Sequence, residues 1–221
     1  MIKLVILGTT DHSELLHHYF SRTNSYEVVG FCVHSNFRKS DEFLGLPLVD
    51  FETMGNVFPP DSHQLFVSVG FRNMNDDRAR VCEEGRRYGY TLASYISPHS
   101  CNLSDEPIGD NVFVFEQVII QPFVKIMDNC VIWAGTSLGH HSIIDANCYI
   151  SGNVSIGART HLGRNSFVGL ASTIQPKLTI GERNLIGAHC HVAKNTAPGS
   201  VFRSEQSKLM PRTSDFYQRF L

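Results

Sequence analysis

The stretch from Ile108 to Ala197 reads, in groups of six, IGDNVF VFEQVI IQPFVK IMDNCV IWAGTS LGHHSI IDANCY ISGNVS IGARTH LGRNSF VGLAST IQPKLT IGERNL IGAHCH VAKNTA. All fifteen groups open with Ile, Val or Leu, and most carry a small or β-branched residue at the fifth position. A period of six fits neither an α-helix nor a simple strand. It predicts a parallel β-helix in which each hexapeptide is one short strand and one turn.

Three hexapeptides make one triangular coil, so this stretch predicts five coils stacked about 4.8 Å apart. We expect the first-position and fifth-position side chains to point into the prism. Each strand pairs with the coils above and below it, because no hexapeptide can bury its aliphatic side chain alone. Reactive side chains must therefore come from the other four positions, which lie outside or at corners.

Before this repeat, apolar runs alternate with helical patterns. Strands are predicted at 2–7, 27–33 and 65–70, helices at 14–20 and 76–88, and a run at 91–97 leads out of this region. A loop with Gly45 and Pro47 and a short helix at 51–57 are expected between the second and third strands. Strands alternating with helices indicate βαβ crossovers and a parallel sheet. The predicted fold class is therefore an α/β Rossmann-like parallel sheet followed by a parallel β-helix.

The limits of the repeat predict three regions, at 1–95, 96–200 and 201–221. The segment ISPHSC from Ile96 already fits the register, whereas NLSDEP after it does not, and the repeat stops at Pro198. No Gly/Ser-rich linker separates the first two regions, so we expect them to pack rigidly. The expected docking residues of the tail are Phe202, Phe216, Tyr217 and Phe220.

Composition excludes several classes of protein. The formal charge is −2 and charged residues make up 18%, which favours neither disorder nor a nucleic-acid partner. No run approaches the roughly 20 apolar residues of a membrane helix, and we expect a cytoplasmic protein. The six cysteines contain no CxxC pair, and Cys130 and Cys148 both occupy fifth positions. They are predicted to be free thiols in the core.

The first candidate site lies at the carboxyl ends of the predicted parallel strands, where helix N-termini offer free N–H groups to an anion. The segments Gly8 to His12 and Gly70 to Asn73 follow two of these strands. The turn GTTDHS lacks the second and third glycines of the dinucleotide fingerprint. Two interpretations stay open, a nucleotide or sugar-phosphate site and a turn that only closes a βα unit.

The second candidate site is the pair His140 and His141. Stacking by one coil places Pro122 and Ala158 on either side of His140. An imidazole accepts protons readily near neutral pH, so His140 is a candidate general base. The alternative is a pair of surface histidines at a corner. A zinc site is the weaker interpretation, because no carboxylate or cysteine in register completes a tetrahedral ligand set.

At this point the sequence shows a family likeness. Residues 108–197 resemble the left-handed β-helix hexapeptide acyltransferases. The chain up to about residue 201 is similar to the sugar O- and N-acyltransferases related to sialic acid O-acetyltransferase and to the bacillosamine-pathway acetyltransferase. The matching segments are VILGTTDHSELL, FVSVGFRNMNDDRA, SYISPHS, IIQPFVKI, IWAGTSLGHHSII and IGAHCHVAKNTAPGSV.

The resemblance implies a homotrimer that binds acetyl-CoA or another acyl-CoA in the groove between neighbouring prisms. It implies that the first domain holds a nucleotide-linked aminosugar, and that His140 takes the proton of the attacking sugar amine. The implied substrate-binding residues are Gly8, Thr9, Thr10, Asp11, His12, His34, Gly70, Phe71, Asn73 and His141. The implied acyl-CoA-binding residues are Gly169, Gly187, Lys194 and Asn195, and no metal is implied.

Three features depart from that family. His34 stands where an acidic residue often follows the second strand, IDANCYISGNVS runs on without a further histidine-bearing hexapeptide, and FRSEQSKLMP replaces a GNPA ending. The predicted function is transfer of an acyl group, acetyl in the first place, to the amine of a nucleotide-linked aminosugar. The alternatives are a sugar O-acetyltransferase, a non-catalytic trimeric nucleotide-sugar-binding protein and, more weakly, a metal enzyme resembling γ-carbonic anhydrase. Neither a nucleic acid nor a membrane is expected as a partner.

Overall fold

A computed structural model describes residues 1–207 and 209–218. Its N-terminal sheet contains β1 (Ile2–Leu7), β2 (Tyr26–Val33), β3 (Glu42–Phe43), β4 (Leu46–Asp50), β5 (His63–Val67) and β6 (Thr91–Leu92). The strands lie in the order β3-β4-β2-β1-β5-β6, and all pairs are parallel except β3 with β4. The chain therefore extends the sheet to one side of β1 first and to the other side later. This reversal is the topological switch point at which Rossmann-like sheets bind ligands.

The predicted helices form as α1 (Asp11–Phe20) and α2 (Asp76–Arg87). Short 3-10 segments occupy Ser35–Phe37, Phe51–Asn56 and Arg72–Asn75, and α3 (Ser214–Tyr217) lies in the tail. The segment around Gly45 is not a simple loop, since it forms the hairpin of β3 and β4. Leu44 and Gly45 have φ values of 53° and 74°, the left-handed pair that a two-residue hairpin turn requires.

Three parallel sheets form the sides of the β-helix. Face 1 contains Tyr95–Ile96, Phe113–Val114, Val131–Ile132, Tyr149–Ile150, Phe167–Val168, Leu185–Ile186 and Val201–Phe202. Face 2 contains Cys101–Asn102, Ile119–Ile120, Ser137–Leu138, Ser155–Ile156, Thr173–Ile174 and His191–Val192. Face 3 contains Lys125–Ile126, Ile143–Ile144, His161–Leu162 and Thr179–Ile180. The paired residues on each face are one coil apart, as the hexapeptide register predicts.

The first and fifth positions fill the prism. Ile132, Leu138 and Ile144 have no exposed surface, and neither do the fifth-position Cys130 and Cys148. All six cysteines are free, and Cys101 alone among them is exposed. The repeat also extends further than expected, because Cys101–Asn102 pairs with Ile119–Ile120. The first residue of NLSDEP is therefore in register, and a polar Asn102 is tolerated there because it lies exposed in the first coil.

The fourth residue of the hexapeptides turns the chain at the corners and adopts a left-handed conformation. We call the row Asn111, Asn129, Asn147 and Asn165, at the corner between faces 3 and 1, the asparagine edge; Arg183 occupies that corner in the next coil. We call the corner between faces 2 and 3 the histidine edge, and its residues are Phe123, His141, Arg159 and Lys177. Both edges have the same backbone geometry, with a φ of 59° at Asn129 and at His141.

The N-terminal domain packs on face 1. The rings of Phe20 and Phe113 are 5.7 Å apart, and those of Tyr19 and Phe115 are 5.2 Å apart, so α1 lies directly against the prism. Because a triangular prism has three sides, the corner opposite face 1 is the histidine edge. The domain and the candidate base therefore lie on opposite sides of one chain.

The tail returns to the prism at Phe202, which packs against the β-helix core. The side chains of Phe216 and Tyr217, and the whole of Phe220, lie outside the described residues. No helix in the described part of the chain is long and apolar enough to cross a membrane.

Candidate active site

A cavity of about 690 Å³ opens at the carboxyl ends of β1, β2 and β5. Its lining includes five residues that the sequence suggested, namely Gly8, Thr9, Thr10, His34 and Gly70. The cationic side chains of Lys39, Arg72 and Arg80 also line it, together with the carboxylate of Asp77. Three basic groups against one acidic group favour an anionic ligand.

The wall at β1 is formed by the turn into α1. Gly8 has a φ of 128°, and a Cβ there would lie 2.6 Å from the Ser13 hydroxyl, so the turn needs glycine. Thr10 caps α1 and donates its N–H to Ser13 Oγ over 3.3 Å. The N-terminus of a ten-residue helix therefore borders the cavity, where its dipole stabilises negative charge.

The wall at β2 ends in His34. Its Nε2–H donates to Glu84 over 2.9 Å, and Arg80 donates to the other oxygen of Glu84 over 2.7 Å. Burial raises the pKa of Glu84, but the hydrogen bonds from His34 and Arg80 outweigh burial and leave this pKa below its usual value. The ring of Phe51 packs edge-on against the imidazole at 5.1 Å. His34 is thus a fixed part of the cavity wall.

His12 lies behind the cavity. Its Nδ1 and the Ser68 hydroxyl share a hydrogen bond of 3.2 Å, and Ser13 donates to Ser68 over 3.1 Å. Burial, and secondly the charge of Arg78, lower the pKa of His12 to about 4, so the ring is neutral at pH 7. Its Nε2 is buried and has no partner among the described atoms. The neutral His12 therefore contacts the cavity wall through Ser68.

Three further suggested residues do not line the cavity. Asp11 is exposed in the first turn of α1. Phe71 is 51% exposed and packs against the rings of Tyr149 and Phe167 on face 1. Asn73 has a φ of 51° and donates to Asp77 over 3.1 Å.

At the histidine edge, His140 and His141 interact directly. Their Nδ1 atoms are 2.9 Å apart, so one of them donates a hydrogen to the other. The backbone N–H of His140 donates to Gln121 Oε1 over 2.9 Å, and the His141 ring lies 4.6 Å from that of Phe123. Desolvation, then the charges of Arg159 and His140, lower the pKa of the exposed His141. A neutral imidazole can donate or accept at Nδ1, and the arrangement in which His140 Nδ1–H donates to His141 is the one that leaves the lone pair of His140 on Nε2.

The four residues suggested for acyl-CoA occupy two different corners. Lys194 and Asn195 line a second cavity of about 370 Å³, together with His191, Thr196 and Ser200. Gly169 and Gly187 lie at the corner between faces 1 and 2, against Ala188 and Phe202 respectively. Gly187 and Lys194 are about one hexapeptide apart, so the repeat places them on successive corners. One chain alone does not bring the two pairs together.

Two basic residues to which the sequence assigned no role, Arg159 and Lys177, connect the histidines with this second cavity. Arg159 lies one coil above His141 and Lys177 one coil above Arg159, as the bonds from Arg159 N–H to His140 C=O and from Lys177 N–H to Ala158 C=O show. Lys194 lies in the next coil, and all three basic side chains are exposed. The sequence could have indicated this row, because its basic residues are spaced by about one coil.

Within residues 1–207 and 209–218, no three His, Cys, Asp or Glu side chains are placed to hold a metal ion. The nearest approach to a further acid–base pair is His161 Nε2 with Asp145 Oδ2 on face 3, at 2.8 Å.

Residues 108–140 match the family described as bacterial transferase hexapeptide (six repeats). No individual curated protein matches the chain at a significant level.

Solved structures of similar fold cover most of the chain. The acetyltransferase domain of PglB from Neisseria gonorrhoeae superposes with a TM-score of 0.80 at 20% identity, over 91% of this chain and 96% of that one. PerB from Caulobacter crescentus, solved with CoA and GDP-perosamine, has a TM-score of 0.79 at 20% identity, over 90% and 92%. WeeI from Acinetobacter baumannii has a TM-score of 0.62 at 14% identity, over 91% and 96%. The predicted fold, a Rossmann-like sheet followed by a left-handed β-helix, is thereby confirmed.

Proposed function

We propose that this protein transfers an acyl group, acetyl in the first place, from acyl-CoA to the amine of a nucleotide-linked aminosugar. The observation that carries the proposal is the His140–His141 hydrogen bond at an exposed edge, from which a column of basic side chains leads to a second cavity. Support comes from the two proteins of similar fold, since one is an acetyltransferase domain and the other was solved with CoA and GDP-perosamine.

In the proposed reaction the sugar amine attacks the thioester carbonyl, and a tetrahedral intermediate forms. His140 Nε2 takes the proton that the amine loses, while His141 accepts the Nδ1 hydrogen and fixes the ring. A backbone N–H of a coil turn stabilises the oxyanion. The intermediate then collapses, the C–S bond breaks, and the leaving thiolate of CoA takes the proton from His140 Nε2, which restores the neutral base. Because a sugar amine is partly unprotonated at pH 7, His140 contributes on the order of 10²-fold in rate.

The cavity of the first domain, with its mainly cationic lining, is proposed to hold the nucleotide. The N-terminus of α1, with Lys39, Arg72 and Arg80, would face its phosphates. Gly8, Thr9, Thr10, His34 and Gly70 line this cavity and are the best supported of the suggested substrate residues. Asp11, Phe71 and Asn73 lie outside the lining, and we propose no contact for them.

Acyl-CoA is proposed to lie along the histidine edge. Its acyl thioester would lie near His140, and its phosphates near Arg159, Lys177 and Lys194. Asn195 belongs to the same cavity as Lys194. Gly169 and Gly187 can contribute only from a second copy of the chain, since they lie on another corner.

A homotrimer follows as part of the proposal. His140 lies at the corner opposite face 1, whereas the nucleotide cavity belongs to the domain that packs on face 1. A sugar held by one chain therefore meets a histidine edge supplied by its neighbour, and a cyclic assembly completes each site. A cytoplasmic location remains a prediction of the sequence.

The test is release of CoA thiol from acetyl-CoA, measured with a panel of UDP-, GDP- and dTDP-linked aminosugars and with matched sugars carrying a hydroxyl in place of the amine. Turnover confined to the amines supports N-acylation, and turnover confined to the hydroxyl compounds would replace it with O-acylation. Nucleotide binding without any CoA binding in calorimetry would instead establish a non-catalytic binding protein.

A further inference from the structure

Arg78 in α2 is the largest side chain of the described residues that is fully buried, with 1% of its surface exposed. Its guanidinium donates to Asn129 Oδ1 and C=O, at 3.0 and 3.1 Å, and to Asn75 Oδ1 and the Gly70 carbonyl, both at 3.1 Å. Longer contacts of 3.5 and 3.4 Å reach the carbonyls of Asn147 and Cys148. One side chain thus joins α2, the loop after β5 and two neighbouring coils of the prism.

All these acceptors are neutral. No ion pair connects Arg78 with a carboxylate in the part of the chain that the structure describes. Burying a charge without a counter-charge costs several kcal/mol, and apolar side chains of similar volume often serve stability as well or better. Burial accordingly lowers the pKa of Arg78 from its ordinary value. Packing alone therefore does not explain an arginine here.

The loop that Arg78 holds is strained. Asn73, Met74 and Asn75 have consecutive φ values of 51°, 52° and 67°, a left-handed run that costs free energy at each residue. The prism restrains this run, since Asn165 donates to the Met74 carbonyl over 3.0 Å. The same loop begins at Gly70 and includes Arg72, and both line the 690 Å³ cavity.

We propose that Arg78 is a positioning residue through which the β-helix sets the shape of the nucleotide cavity. By holding the Gly70 carbonyl, it fixes the peptide between Gly70 and Phe71 and so directs the Phe71 N–H to the opposite side. It also anchors Asn75 at the far end of the strained loop. The inference rests on the proposed function, because it assigns the cavity to a nucleotide.

The experiment compares the full-length wild type with Arg78→Lys, Arg78→Met and the control Arg86→Met. Arg86 also joins α2 to the prism, through Asp128 at 2.7 Å and Asp110 at 3.7 Å, but it does not touch the loop. UDP, GDP and dTDP are titrated into each protein by calorimetry, CoA is titrated separately, and unfolding in urea is recorded for all four. Lysine keeps the charge but cannot span the separate acceptors, so Arg78→Lys carries the test if Arg78→Met does not fold.

We expect Arg78→Lys to raise the Kd of the nucleotide that wild type binds best by about tenfold, and to leave the Kd of CoA within about twofold. Arg86→Met should lower stability without changing either Kd. Unchanged nucleotide affinity in Arg78→Lys, or an equal loss of nucleotide and CoA affinity, would overturn the inference while the proposed function stands. A wild type that binds none of the three nucleotides would remove the proposed nucleotide site and this inference with it.

Discussion

The asparagine edge and the histidine edge have the same left-handed turn, but the first is covered by the N-terminal domain and the second is exposed to solvent. At the asparagine edge, side chains one coil apart bond to each other, from Asn111 to Asn129 over 2.9 Å and from Asn129 to Asn147 over 2.8 Å. At the histidine edge the corresponding side chains are aromatic or basic and exposed. Since asparagine tolerates left-handed φ better than most residues, the backbone alone favours it at both edges. Departure from asparagine therefore indicates a corner whose side chains serve another purpose.

Burial explains which edge keeps asparagine. Asn111 lies under the first domain, and its amide oxygen accepts the Val67 N–H over 2.8 Å at the end of β5. Asn165 continues the row to Asp76 at 2.8 Å, at the start of α2. A buried amide side chain pairs both its donor and its acceptor along such a row, so the interface contains few unsatisfied groups. The histidine edge faces solvent and has no such requirement.

The largest effect is expected from removing the proposed base. His140→Ala should lower kcat by about 10²-fold or more and leave the urea midpoint unchanged, because a positioned general base contributes roughly 10² to 10⁴ in rate. His99→Ala, an exposed histidine in the first coil, serves as the control. Steady-state thiol release gives both values, and undiminished turnover in His140→Ala would exclude it as the base.

His141 sharpens this test. His141→Asn keeps an acceptor for His140 Nδ1–H and suits the φ of 59°, whereas His141→Ala removes the acceptor. We therefore expect the asparagine variant to retain about tenfold more activity than the alanine variant. Equal activity of the two variants would show that His141 does not orient His140.

On the buried edge the loss should appear in stability. Asn129→Ala removes the partner of Arg78, Asn111 and Asn147, and should cost roughly 3 kcal/mol of unfolding free energy, since buried polar groups lose their hydrogen bonds. Lys177→Ala changes the equivalent position of the exposed edge and should cost less than about 0.5 kcal/mol. Urea unfolding of both variants measures the contrast, and similar losses at the two edges would contradict it.

The partly buried His12 extends the comparison to pH. Because the pKa of His12 is lowered to about 4 in the folded chain, the unfolded chain binds the proton first as pH falls below 6.5. Its contribution to stability is constant above that pH and is lost as pH falls toward 4, by about 2 kcal/mol between pH 6.5 and 5. His12→Gln should show a correspondingly smaller loss over this interval in urea unfolding. An identical pH profile in the two proteins would mean that His12 is not protected from protonation.

The smallest effects concern the basic column. Arg159→Ala and Lys177→Ala should each raise the Kd of CoA by roughly three- to tenfold, as expected for the loss of one exposed contact to phosphate. The effect should shrink at high salt. Arg87→Ala, on the exposed side of α2, should leave CoA affinity unchanged in the same calorimetric titration.

The β-helix could be predicted closely because its signal is a repeat. Each coil constrains the next, so the register of Ile108 to Ala197 fixes which side chains are buried and which corner carries His140. The hairpin at Glu42 to Asp50 was not predicted, because its strands are short and only the Leu44–Gly45 turn marks it. A single turn of this kind is hard to predict, because no repeated pattern in the sequence reinforces its signal.

The sequence patterns also did not predict which residues connect the two domains. Arg78 looked like one more charge on an amphipathic helix, yet it is buried, because the acceptors that satisfy it lie about 50 to 70 residues away in the chain. The asparagines at 111, 129, 147 and 165 were visible as a spacing of one coil, but their role depends on the docked domain. Likewise, Gly187 and Lys194 are close in the sequence, and their placement on two different corners became visible only when each strand was assigned to a face.

Each β-helix strand pairs with a neighbour one coil away, so the spacing between successive coils is constant along the prism. From His141 to Asn195 the chain climbs three coils, a distance of about 14 Å at the usual strand spacing. An inserted or deleted coil would lengthen or shorten that distance by one step and keep every edge in register. The distance between the proposed catalytic corner and the second cavity can therefore change only by whole coils. The number of coils sets how long a proposed acyl donor must be to contact both places.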